Sequence, residues 1–366
     1  MIKNINVLGI YGGASLNSVE LALINTDGID VYEIKKTATI PYPEYLAQEI
    51  RKVIGKRYPD FEECHNDPNI LKISDLVSDF YAEIVNDFCS PEDFDEIGID
   101  GLTVYNHPEQ KCSFQIEKGN TLSKILRKRV ITHFHKADLL SGGQASPLSA
   151  AFFDTLSKNS ERPILFININ AITSLIYLGV SGELIGFDCA PGIAMIEDWT
   201  FRHANMQTDY NGKLAITGKI HEQVLEALLK HKILTKEPPK SLDILCFNDK
   251  REHLEGLSLE DGSATVTALI SQAIKNAVNN FLPEHPTHIY ICGEGEKNPS
   301  LVRFLKHDFA DYQISCFSDC YTEYQNSGAI NVAFNTARRI YALPITFPTT
   351  TGVESPMMGG EIYDET

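Results

Sequence analysis

Residues 184–192 read LIGFDCAPG, so one acid, Asp188, follows an apolar run and precedes a Pro-Gly turn. An aspartate placed this way has two uses. At the C-terminal end of a strand in an α/β sheet it projects where ligands bind, and there it can take a proton from water or a hydroxyl. Alternatively, its carboxylate caps the helix-like stretch that follows. Four corners at the ends of apolar runs indicate what such a base would serve: YGGASLNS (11–18), NINAIT (168–173), GFDCAPG (186–192) and CGEGEKNP (292–299). Backbone N–H groups in such turns can point at oxygen anions, and glycine lets the anion come close. Gly293 and Gly295 alone are not a dinucleotide fingerprint, which needs a third glycine. The order of all four corners points to nucleotide phosphates.

Other chemistries find less support. The eight cysteines lie at 64, 89, 112, 189, 246, 292, 316 and 320, with no CxxC pair, and several sit inside apolar runs such as DILCF and IYICG. Reduced thiols in a cytoplasmic protein fit that pattern. Cys316 and Cys320 lack the remaining ligands of a zinc site. His133 and His135 are spaced for one face of a strand but have no evident third ligand, so no metal site is assigned. The formal net charge is −17, with 43% hydrophobic and 22% charged residues. A nucleic-acid binder needs a basic stripe, and LRKRV at 126–130 reads as one solvated helix face. Apolar runs are too short for a membrane span, and MIKNINVLGI reads as a first strand rather than a signal peptide. Trp199, the only tryptophan, reads as core.

The elements that must position these corners follow from periodicity. Strands are expected at 5–10, 19–24 and 30–40, joined by short turns. Helices follow at 44–55 and 75–88, the second with Ser74 as its expected N-cap and with 57–70 as a polar loop. The strand–turn–strand–turn–strand pattern then returns at 163–169, 174–180 and 184–188. The letters hardly match, so what repeats is architecture, and two related α/β domains facing a cleft are expected. Helices are expected at 222–234, 263–282 and about 327–343, with a strand at 288–293. The tail from 349 reads as irregular. With 366 residues, two domains are the default. The division expected is 1–128 plus about 338–366, against 129–337 for the domain with Asp188.

Taken together, the motifs resemble the anhydro-N-acetylmuramic acid kinase family, of the actin/hexokinase/Hsp70 fold group. GASLNS (13–18) is similar to that family's GTSLDG, ADLLSGGQASPLSA (137–150) to ADxxxGGQGAPLVP, and GFDCAPGI (186–193) to GFDTGPGN. EPPKS (237–241), the helix ATVTALISQAI (264–274) and CGEGEKNPSL (292–301) extend the resemblance from residue 7 to about 352. It implies a two-domain, actin-like ATPase fold of the ribonuclease H-like type, with duplicated mixed sheets. It also implies ATP and Mg²⁺ as reactants, a 1,6-anhydro sugar opened by water, phosphorylation at O6, and a role in peptidoglycan recycling. Asp188 would be the base. Gly13, Ala14, Ser15, Leu16, Asn17, Gly293, Gly295 and Asn298 would contact nucleotide, and Thr103, Gly143 and Gln144 the sugar. The family is often dimeric, so a homodimer is the assembly to test.

Departures gather at the same corners. Asn17 and Ser18 stand for the family's Asp-Gly, and Asn170 and Ala171 for a glycine pair. On the sugar side Asp100 stands for His, Leu102 for Gln, and His135 for an Arg that would anchor the muramic lactyl carboxylate. Ile193 and Glu294 replace Asn and Gly. Three readings therefore stay open. The first is a divergent kinase. The second is a descendant that binds sugar, nucleotide or protein without turnover. The third, an Hsp70-like clamp, would normally carry a peptide-binding domain.

Overall fold

The computed structural model describes residues 3–13, 16–54, 56, 63 and 66–365. Ala14 and Ser15 lie outside the described residues, as does most of the expected loop 57–70. The chain divides into two compact units, residues 1–156 with 323–366 and residues 157–322.

In the first unit, strands β1 (Ile5–Tyr11), β2 (Ser18–Thr26) and β3 (Val31–Pro41) form an antiparallel meander. Strand β4 (Glu96–Asp100) returns parallel to β1. Strands β5 (Thr103–His107) and β6 (Cys112–Gln115) make a separate hairpin. Strand β7 (Val130–Thr132) lies parallel to β4. A helix at Pro68–Phe88 buries Ile70, Ile73, Val77 and Tyr81 in one core with Leu8 and Ile10 of β1. Its apolar residues recur at helical spacing, and a parallel return to β1 needs such a crossover. This helix starts earlier than expected. Asp67, not Ser74, is the N-cap and accepts from Asn69 N at 2.8 Å, with Pro68 at the first helical position where its missing N–H costs nothing.

In the second unit, β8 (Ile164–Ile169), β9 (Ile172–Leu178) and β10 (Leu184–Pro191) repeat the meander. Strands β11 (His288–Cys292) and β12 (Gln313–Cys316) add parallel beside β8. The order β10-β9-β8-β11-β12 is the order β3-β2-β1-β4-β7 of the first unit, which ends in a thirteenth strand, β13 (Glu361–Tyr363), on β7. The duplicated mixed sheets implied by the resemblance are therefore present. The helix Leu259–Phe281 lies along β10 and carries Val266, Leu269, Ile270 and Ile274 into the second core. Trp199 belongs to that core at 1% exposure and donates to Leu259 O at 2.9 Å.

The units differ from the expected division. Residues 129–156 and 323–337 pack in the first unit, because β7 pairs with β4 and the helix Ser327–Ile340 lies on β1 and β2. A parallel sheet strand draws on a partner far away in sequence, which local periodicity does not reveal.

Candidate active site

Asp188 lies within β10, not at its end: the strand continues to Pro191 past a register shift between Asp188 and Ala190 opposite Ser174 and Thr173. An extra residue in one strand bends the ladder and re-aims a side chain. Asp188 is 2% exposed and is held by one segment of chain. Its N–H donates to Lys240 O at 3.0 Å, and its Oδ2 accepts from Leu242 N at 2.9 Å. It does not cap the next helix, Ile193–Ala204, whose N-cap is Gly192 with no side-chain bond. Of the two uses open to this acid, the structure removes the helix cap; its carboxylate instead holds the main chain at Leu242.

Lys240 is fully buried, and its Nζ donates to Ile233 O and Leu234 O at 3.1 Å each, 4.7 Å from the Phe281 ring centre. Burial pulls its ammonium down to about 8, against the opposing pull of Cys189 and Asp188. The Cys189 thiol is pushed far up by burial, so it stays protonated.

The rung Asp188, Ser174, Asn168, Cys292 crosses four strands and brings three of the four corners to one edge of the second sheet. Gly293, just past it, has φ +77°, and a Cβ there would fall 2.6 Å from Asn170 Oδ1. Glycine is required by both conformation and space. The Asn170 side chain accepts from Glu294 N at 3.2 Å, Asn170 N donates to Ile172 O, and Ile193 N donates to Asn170 O. Several N–H groups of these corners are thus satisfied within the protein. Gly295 is buried beside Ile169. Asn298 caps the helix Pro299–Asp308, accepting from Ser300 N and Leu301 N at 3.1 Å. The signal for that cap was visible as Asn-Pro before an apolar run.

The first unit carries the other expected residues. Gly13 follows β1 with φ +59°, Leu16 is buried in the core, and Asn17 O accepts from Tyr42 N at 3.2 Å. Thr103 opens β5 opposite Gln115. His135 joins two corners: its Nε2 meets Asp100 Oδ1 at 3.2 Å and its Nδ1 meets Ala145 O at 2.7 Å. Burial lowers its pKa, but Asp100's charge and hydrogen bond outweigh burial and raise it overall. Asp138, 1% exposed, holds the glycine loop together: its Oδ1 accepts from Ala145 N at 2.7 Å and its Oδ2 from Thr351 Oγ1 at 2.5 Å. Gly143 N donates to Asp138 O and Gln144 N to Thr351 O.

Sequence reasoning missed Glu117. It is 3% exposed, accepts from Thr132 Oγ1, and has an Oε2 without a hydrogen-bond partner among the described residues. That oxygen sits where a Cβ on Gly101 would be, 1.7 Å from it. Burial raises its carboxyl to about 7. Its signal was available: SFQIE, like LIGFD, is an acid closing an apolar strand.

Comparison with known proteins decides the family. The family model for anhydro-N-acetylmuramic acid kinase matches residues 5–365. The chain belongs to the anhydro-N-acetylmuramic acid kinase family. Relatives of that name are similar end to end. The protein of Methylobacterium nodulans is 33% identical, with 96% of this chain and 98% of that one covered. That of Acidiphilium cryptum is 31% identical, with 98% of each covered. That of Zymomonas mobilis is 29% identical, with 97% and 99% covered.

Proposed function

We propose that the protein is an ATP-dependent kinase of 1,6-anhydro amino sugars, with anhydro-N-acetylmuramic acid as the family's reference sugar. Water attacks C1, the bond from C1 to the bridging oxygen breaks, and that oxygen, as O6, takes the γ-phosphoryl group. ADP leaves, and the water's proton passes to Asp188. The products are the sugar 6-phosphate and ADP. Family membership over nearly the whole chain supports the reaction class. The observation that carries the mechanism is Asp188 itself, fixed by Lys240 O and Leu242 N and not spent on a helix cap. A base held this way needs no reorganisation before it accepts a proton.

The β1–β2 turn with Gly13, Leu16 and Asn17, and the corner with Gly293, Gly295 and Asn298, are the assigned nucleotide contacts. Thr103, Gly143 and Gln144 are the assigned sugar contacts. Mg²⁺ would arrive with ATP and neutralise phosphate charge, with Asn17 offering a neutral oxygen. Among the described residues no helix is long and apolar enough to cross a membrane, and the seven described cysteines are free. A cytoplasmic place of action, in peptidoglycan recycling, accords with both.

The test is turnover with Mg-ATP and the anhydro sugar, read as ADP release and as a sugar product heavier by one phosphoryl group and one water. Asp188→Asn is expected to lower kcat by about 10²–10⁴-fold, the usual contribution of a general base. No product from any anhydro amino sugar, or an undiminished Asp188→Asn enzyme, overturns the reading.

A further inference from the structure

The loop with Gly143 and Gln144 is held by stretches of the first unit that lie far apart in the sequence. From the helix Lys136–Leu140, Asp138 O accepts from Gly143 N at 2.9 Å, and Asp138 Oδ1 accepts from Ala145 N at 2.7 Å. From a position 213 residues further on, Thr351 donates its hydroxyl to Asp138 Oδ2 at 2.5 Å. The carbonyl of Thr351 also accepts from Gln144 N at 2.8 Å. At the far end of the loop, Asn335 of the helix Ser327–Ile340 donates to Leu148 O at 2.9 Å. Asp138, Asn335 and Thr351 are all buried.

The loop needs these bonds, because its backbone is strained. Ala145 has φ +67°, the left-handed region where a Cβ is penalised. In the motif GGQGAPLVP the same position is glycine, which has no such penalty. A residue in that region persists only where its surroundings over-determine it. Here the Ala145 N–H is taken by Asp138 Oδ1, and its carbonyl by His135 Nδ1 at 2.7 Å. Space is tight as well, since a Cβ on Gly143 would fall 2.1 Å from Asp138 Oδ1. The Asp138 carboxylate is the hub of this arrangement. A bond to each of its oxygens fixes its plane, and the second of those bonds comes from Thr351. Bonds to a charged acceptor are the stronger kind.

We infer that Thr351 is a positioning residue for the sugar, acting through Asp138 to hold the loop in the strained shape in which Gly143 and Gln144 bind it. This rests on the assignment of those two residues to the sugar under Proposed function. Without the Thr351 hydroxyl the loop spends part of its time in other shapes, and apparent affinity falls by the fraction that remains competent. Ground state and transition state lose the same contacts, so the loss falls on KM for the sugar and not on kcat. The nucleotide corners draw on neither Thr351 nor Asp138, so KM for Mg-ATP is not affected.

The experiment measures steady-state kinetics of the parent, Thr351→Val and Thr351→Ser with 1,6-anhydro-N-acetylmuramic acid and Mg-ATP, after circular dichroism has checked folding. Thr351→Val keeps the shape and removes the donor, and it is expected to raise KM for the sugar about tenfold, the value of one hydrogen bond to a charged group. Its kcat and its KM for Mg-ATP are expected to stay within about twofold of the parent. Thr351→Ser keeps the hydroxyl and is expected to restore the sugar KM. An unchanged sugar KM, an equal rise for both substrates, or a serine variant no better than valine overturns the inference and leaves the kinase reading standing. A lowered melting temperature with an unchanged sugar KM belongs to those outcomes, since it shows a hydroxyl that only supports the fold. If the parent does not phosphorylate the sugar, the kinase reading falls, and calorimetry with the same sugar decides the inference. Weaker binding by Thr351→Val than by the parent and Thr351→Ser supports it. Equal binding by all three, or binding by none, overturns it. Should Thr351→Val fail to fold, Asp138→Asn, which cannot accept from both donors as the carboxylate does, is judged by the same difference between sugar and nucleotide.

Discussion

Glu117 keeps its proton longer than an ordinary glutamate because burial penalises its charge more than the Thr132 hydroxyl and His135 favour it. The consequence for stability has a definite sign. Between the ordinary carboxyl value of 4.5 and about 7, the folded chain holds a proton that the unfolded chain has released. Stability from this group therefore falls as pH rises through that window and stays low above it. Glu117→Gln has no proton to lose. Relative to the parent it is expected to gain, between pH 5 and pH 8, up to about 3 kcal/mol, the value of two to three pKa units. Denaturant midpoints of both proteins at the two pH values check this. The parent and variant share Asp100 and His135, which face the site, so the difference isolates Glu117. An equal gap at pH 5 and pH 8 would defeat the argument. At this scale the sequence was half legible. Asp188 stood out because it interrupts an apolar run before Pro-Gly, whereas Glu117 reads as an ordinary strand end until the Gly101 backbone is seen against it.

One scale up, the segment 237–242 works as a clamp on β10. Its main chain brackets Asp188 at Lys240 O and Leu242 N, and the Lys240 side chain ties it down on Ile233 O and Leu234 O. Lys240→Met keeps the length and the contact with Phe281 but leaves two carbonyls without a donor. Each unsatisfied buried group costs about 1–3 kcal/mol, so the variant is expected to lose a few kcal/mol and to lower kcat with KM nearly unchanged. Thermal melts and steady-state kinetics measure both, and a variant as stable and active as the parent would refute the clamp. EPPKS was noticed in the sequence only as a matching motif, because nothing local reveals that its lysine is buried. Element positions fared better than element ends: both meanders lie where alternation placed them. The Pro68–Phe88 helix began seven residues early, at an Asp-Pro cap, and β10 ran on through Pro191 because Thr173 Oγ1 donates to Pro191 O at 2.9 Å.

For the whole molecule, the duplicated three-strand meander was legible from spacing, while β4, β7, β12 and the division into units were not, since β7 and the Ser327–Ile340 helix find their partners across long stretches of sequence. Charge is a property of this scale as well. The chain carries 49 acidic against 32 basic residues, a formal net charge of −17. Mg-ATP, the nucleotide proposed for it, is itself a dianion, so the long-range field opposes their encounter. Such repulsion acts over a Debye length, about 30 Å at 0.01 M salt and about 8 Å at 0.15 M. Raising potassium chloride across that range is therefore expected to increase kcat/KM for Mg-ATP, by about two- to threefold. An uncharged sugar does not feel this field, so its kcat/KM, measured with Mg-ATP saturating, should stay flat over the same range. An acidic sugar should follow Mg-ATP upward. If kcat/KM for Mg-ATP instead falls with salt, local attraction at the phosphate corners outweighs the net charge, and the field of the whole molecule is not what governs nucleotide capture.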